Sequence, residues 1–147
     1  MNKISFIYQT IIQPGMEARS SSYLPQMLIK NMNPNDKYSL MLTVGIILDT
    51  EKHFIIRADV FFDNKSVITH SSQQDNNMDI ALFEKMDDGE IITLSHLHFN
   101  RATFEKSGTY RIHCELLKPD SDSSDDTENY EVLHTMDSFF YATVNEK

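Results

Sequence analysis

The chain reads as an all-β domain, a two-sheet antiparallel β-sandwich of about eight strands. Three observations predict this. Apolar residues recur with period two in segment after segment, as half-buried strands require. Turn signals return roughly every ten residues, the spacing of short sandwich strands. The one long mixed stretch that could hold a helix is interrupted by Pro25 and Pro34.

KISFIYQTII, Lys3 to Ile12, puts Ile4, Phe6, Tyr8, Thr10 and Ile12 in one phase and opens the fold as a strand, which Pro14 and Gly15 stop. From Met16 to Asn35 a loop with one short helix or an edge strand is expected. KYSLMLTVGIILDT is the most apolar segment, with Leu40, Leu42, Val44, Ile46 and Leu48 in one phase and Met41 and Ile47 in the other. Such a strand is covered on both faces. Thr50, Glu51 and Lys52 turn the chain into HFIIRADVFFD, where Phe54, Ile56, Ala58, Val60 and Phe62 point inward and Arg57 and Asp59 outward. The two segments read as a hairpin.

After the turn Asp63-Asn64-Lys65 come a short SVITH strand, the polar linker SSQQDNN and a strand at MDIALF. MDDG, Met86 to Gly89, carries Asp-Gly turn chemistry. EIITLSHLHFN begins with Ile92 and Leu94 in phase and ends with Leu97 and Phe99 in the other, which predicts a β-bulge near Ser95-His96. FEKSGTYRIHCELL follows with Tyr110, Ile112, Cys114 and Leu116 in phase. KPDSDSSDDTEN, Lys118 to Asn129, has five acids and no apolar residue and is a loop. The last segment gives one short and one final strand, the latter using Phe139, Tyr141 and Thr143.

A length of 147 residues fits one domain, 1–147, large enough to bury a core without staples. With only four Gly and four Pro, Asn, Asp and Ser must supply much of the turn chemistry. The formal charge of −9, from 22 acids against 13 Lys and Arg, disfavours nucleic acid and anionic lipid and favours a basic partner. The single Cys114 excludes an intramolecular disulfide framework and suits a reducing, cytoplasmic setting. No segment has the length and apolarity of a membrane span, and the N-terminal stretch has no small-residue cleavage site, so an unprocessed protein is expected.

Gly108 and Tyr110 stand in the spacing Gly-x-Tyr within an alternating strand, with Lys106 two residues before the Gly and Ile112 two after the Tyr. This resembles the corner strand of immunoglobulin-like sandwiches, where the pattern is Asp-x-Gly-x-Tyr-x-Cys. The resemblance implies a tyrosine corner, the hydroxyl bonding back to the preceding turn. Lys106 and Ile112 replace the Asp and the Cys, and the chain has no Trp, so membership of the antibody family is not implied. A looser likeness, spread over more of the chain, is to small bacterial or phage sandwich proteins; it implies no activity.

His96 and His98, two apart on a strand, can chelate one ion if a third ligand lies nearby, with His113 as that ligand and Cys114, His134 or His53 in reserve. Surface histidines explain the same spacing, and no cofactor or metal is expected. Asp120, Asp122, Asp125, Asp126 and Glu128 offer oxygen ligands for calcium but lack the central Gly of an EF-hand loop. The same run can steer a basic partner. Nucleophile elbows, phosphate loops and His-Glu-x-x-His segments are missing, Cys114 lies in an inward phase, and His113 points the other way, so no enzyme is expected. Phe61, Phe99 and Phe140 fall out of phase with their neighbours and are candidates for an interface.

The expected function is therefore that of a protein-binding module that masks or inhibits a basic partner such as a toxin or nuclease, as immunity proteins do, with Asp120, Asp122, Asp125, Asp126 and Glu128 in contact. A second expectation is assembly through an edge strand, SVITH or the first strand, giving a monomer or homodimer. A third is a metal or ligand module at His96, His98 and His113.

Overall fold

A computed structural model of the protein describes residues 1–12, 25–49, 54–69, 77–119 and 130–146. They form nine strands: β1 (Lys3–Ile12), β2 (Leu28–Met32), β3 (Tyr38–Leu48), β4 (Ile55–Phe62), β5 (Lys65–Ser66), β6 (Asn77–Lys85), β7 (Ile91–Ala102), β8 (Gly108–Pro119) and β9 (Tyr130–Val144). One sheet has the order β1-β3-β7-β6 and the other β2-β9-β8-β4-β5. Every pair is antiparallel except β2 with β9, which is parallel. The stretch before Asn35 thus supplies an edge strand at β2. No helix among the described residues is long and apolar enough to cross a membrane.

The two sheets face each other across a core built from Leu40, Leu42, Val44, Ile46 and Leu48 of β3 and Tyr110, Ile112, Cys114 and Leu116 of β8. These two runs occupy the inward phases expected of them. β3 is buried on both faces, with Met41 and Thr43 as inaccessible as the core-facing residues. Its expected hairpin with β4 is not formed. A strand apolar on both faces belongs between two neighbours, and β3 pairs with β1 and β7, while β4 lies in the other sheet beside β8.

Three phase assignments also change. In β1 the register shifts between Ile4 and Phe6, so Ile4, Ile7 and Ile11 face the core while Phe6 is turned out. There its ring lies on Gly45, where a Cβ would come within 2.5 Å of Cε1. In β7 the expected bulge at Ser95-His96 is absent. Register with β3 is unbroken from Leu40↔Phe99 to Leu48↔Ile91. The core phase passes through the small polar residues Thr93 and Ser95, and Ile92 and Leu94 take the outer face. The register shift on that side of β7 sits in the neighbouring strand β6, between Ile80 and Leu82. At the C-terminal end a single β9 replaces two strands, and Phe140 and Ala142 face inward while Phe139 and Tyr141 face out.

The tyrosine corner is present. The Tyr110 hydroxyl donates to the Lys106 carbonyl at 2.6 Å, and its ring packs against Phe62, Phe104 and Phe140 with centroids 4.8, 5.1 and 5.4 Å away. Such ring clusters are a large share of a small core. The Met86–Gly89 turn also forms, Gly89 donating to the Met86 carbonyl at 3.0 Å with φ +91°.

The two sides of the sandwich differ. On one side β1 is tied to the other sheet's margin: the Gln26 side chain accepts from the Ile11 N–H, Gln9 bonds the Gln26 carbonyl, and His134 Nδ1 accepts from the Ile4 N–H at 2.9 Å. The first strand is thus an edge, as expected, but a covered one. On the other side β6 borders one sheet, and the short β5, which holds Ser66 of the SVITH segment, pairs with Phe61 and Phe62 of β4, while Ile68 makes an isolated bridge to Ala102.

Candidate functional site

The acidic run Asp120, Asp122, Asp125, Asp126 and Glu128 lies outside the described residues, as does His53. The histidine trio does not assemble. His96 and His98 share the outer face of β7, because β7 is regular, but His113 projects from the outer face of the opposite sheet. The sandwich core separates them. His98 Nε2 is 3.2 Å from Asp79 Oδ2, His96 Nδ1 shares a hydrogen bond with Thr43 Oγ1 at 3.0 Å, and His113 Nδ1 lies 2.6 Å from Asp137 Oδ1. Cys114 is buried between the sheets and His134 serves the β1 bulge, so neither reserve can complete the set. Among the described residues no group of three or more His, Cys, Asp or Glu is arranged to hold a metal ion.

What the fold does bring together is an open margin. Cross-strand partners share a face, so Met78 opposite Leu97, Ile80 opposite Ser95 and Phe83 opposite Thr93 all point toward the interior side of the sandwich. They are nevertheless open to solvent. Each is at least 45% exposed, whereas Leu82, opposite Leu94, is exposed on the outer face. Asp79 and Glu84 of the same strand, opposite His96 and Ile92, face outward, and Asp87 and Asp88 follow in the turn. Monomer surfaces rarely carry a contiguous apolar strip of this kind without a binding use.

At the edge of β4 is a cavity of ≈ 410 Å³ lined by Ile56, Ala58 and Asp59 of β4, Leu97 and Phe99 of β7 and His113 of β8. Arg57 and Glu115, joined by an ion pair at 3.1 Å, stand at its outer rim. Phe61 faces out beside Arg111, whose guanidinium carbon is 4.7 Å from the ring centroid, and Phe139 is the next residue in that row. Phe99 and Phe140, by contrast, are core residues. Among the described residues the exposed aromatics are thus Phe6, Phe83, Phe139 and Tyr141. Their signal in the sequence was adjacency: in Leu82-Phe83 and Phe139-Phe140 two apolar neighbours cannot share one face of a regular strand.

These features define the class of the molecule as an all-β sandwich with one closed and one open side. No protein-family model matches the chain, and no curated protein is significantly similar to it.

Proposed function

We propose that the protein is a binding module that engages and masks a basic protein partner, in the manner of small acidic inhibitor or immunity proteins. One observation carries this reading: the exposed apolar row of Met78, Ile80 and Phe83 on the interior side of β6, in a chain of strongly negative charge. Desolvated apolar side chains supply affinity, and like-signed charge around them selects a partner of opposite sign and speeds encounter. The net charge of −9 extends that field over the whole molecule, and Asp120, Asp122, Asp125, Asp126 and Glu128 add a second acidic element.

Support for an immunoglobulin-like arrangement comes from the strand order. Sheets β1-β3-β7-β6 and β9-β8-β4 follow the ABED and GFC pattern, with the tyrosine corner at the start of β8. The role proposed is binding without catalysis, in the cytoplasm, where a lone thiol stays reduced.

The test is capture from the source cell's lysate at low and high salt, followed by association kinetics with the identified protein. The expected prey is basic, and its association rate falls with salt and with Asp120, Asp122, Asp125 and Asp126 changed to Asn. A neutral or acidic prey whose rate ignores both changes would reject the masking role.

A further inference from the structure

We infer that the groove between the edges of β4 and β6 receives an extended segment of a partner protein, which adds to β4 as a further strand. Its apolar side chains alternate with polar ones, and Lys or Arg residues flank it. This rests on the protein-binding reading and gives it a site.

The argument starts from the backbone. The Val60 carbonyl accepts the Val67 N–H at 2.9 Å, which shows that Val60 turns its peptide groups to the free side of β4. Strand alternation turns those of Ala58 and Ile56 the same way. β5 pairs only with Phe61 and Phe62, so among the described residues no strand meets Ile56 and Ala58 on that side. Their N–H and C=O groups are a template for strand addition.

Space and side chains agree with this. Stacked sheets lie about 10 Å apart and strands about 4.8 Å apart, so a strand added to β4 would run beneath β6. Its inward side chains would enter the ≈ 410 Å³ cavity and cover Met78, Ile80 and Phe83. Charge favours a basic occupant, because the chain carries −9 and the carboxylates Asp59 and Glu115 line the cavity, where Arg57 is already paired with Glu115. A second copy of the chain is a poorer occupant. Each copy carries −9, and the β6 bulge between Ile80 and Leu82 disrupts edge-to-edge pairing.

The test uses the full chain and a synthetic peptide of about nine residues, the length of an ordinary strand, alternating Val and Lys, beside versions with Glu for Lys and with Pro at the centre. Binding of the Lys peptide should slow amide exchange at Ile56 and Ala58. The Glu and Pro versions should bind at least about tenfold more weakly. Ile80→Asp and Phe83→Asp, each tested alone, should weaken binding about as much while leaving the urea midpoint in place, since both side chains are already exposed. Binding without protection of Ile56 and Ala58, no binding at all, or protection that instead tracks dimer formation would each overturn the inference. If a captured basic partner binds I80D and F83D as tightly as the parent, the groove is wrong and the masking role stands. If the peptide docks as described but no basic partner exists, the groove stands and masking fails.

Discussion

Gly108 has φ +154°, and a Cβ there would sit 2.7 Å from Cε2 of Phe62, a ring that itself packs on Tyr110. Backbone and neighbour both exclude a side chain, so Gly108→Ala should cost about 1–3 kcal/mol, measured by urea unfolding. Tyr110→Phe keeps the ring and deletes the bond to the Lys106 carbonyl, which should cost about 1 kcal/mol. His134 makes a pH prediction. Its imidazole must be neutral for Nδ1 to accept from Ile4, and burial, then the Lys3 ammonium, lowers its pKa below the usual 6.5. His96 shifts the same way, chiefly through burial and then through His98, with Asp79 opposing. Above that ordinary value both folded and unfolded states are neutral and these groups leave stability flat. As pH falls through it the unfolded chain takes up protons first, so stability drops until the lowered folded pKa is passed. Urea midpoints between neutral and mildly acidic pH should fall less in His134→Gln than in the parent; an equal fall would remove His134 from the account.

The strands themselves were largely legible, because period two is written directly into β3, β4 and the first part of β8. What escaped was pairing and phase. β3 and β4 are adjacent in sequence and strongly apolar, yet local pattern says nothing about which sheet a strand joins, and the crossing between sheets is a property of the whole core. In β7, the polar Thr93 and Ser95 occupy core-side positions and are buried there, and a hydrophobic count reads that as a slip. In β1, Phe6 leaves the core phase to cover Gly45. That last arrangement is testable at the level of the strand pair. Phe6→Ala should uncover the Gly45 backbone and weaken β1–β3 pairing by about 1 kcal/mol, with amide exchange quickened in β1 and unchanged in β8. Equal quickening in both sheets would mean that Phe6 acts on global stability instead. The open margin has a related reason: Met78, Ile80 and Phe83 are exposed because the edge strand beyond β4, β5, is only two residues long, and no feature of the β6 segment itself encodes that.

For the molecule as a whole, Cys114 is a reporter of cooperativity. It lies on β8 between Ala58 and Met136, fully buried against the opposite sheet, and burial, with a smaller contribution from Glu115, pushes its thiol up to about 12. Thiolate is the reactive form, so in the folded chain both access and ionisation are withheld. Labelling then requires opening of the core, and a domain of this size opens with a free energy of about 5–15 kcal/mol. If both sheets part as one unit, the labelling rate in native buffer should equal the exposed-thiol rate multiplied by the unfolding constant from urea. Gly108→Ala, which weakens the fold far from Cys114 along β8, should then raise the labelling rate by about tenfold for each 1.4 kcal/mol lost. The open β4 edge provides the alternative, since β4 is held by β8 and only briefly by β5. Labelling faster than global unfolding, insensitive to Gly108→Ala and slowed by the Val-Lys peptide, would show that β4 peels away alone, and the sandwich would be two cooperative units divided at the groove.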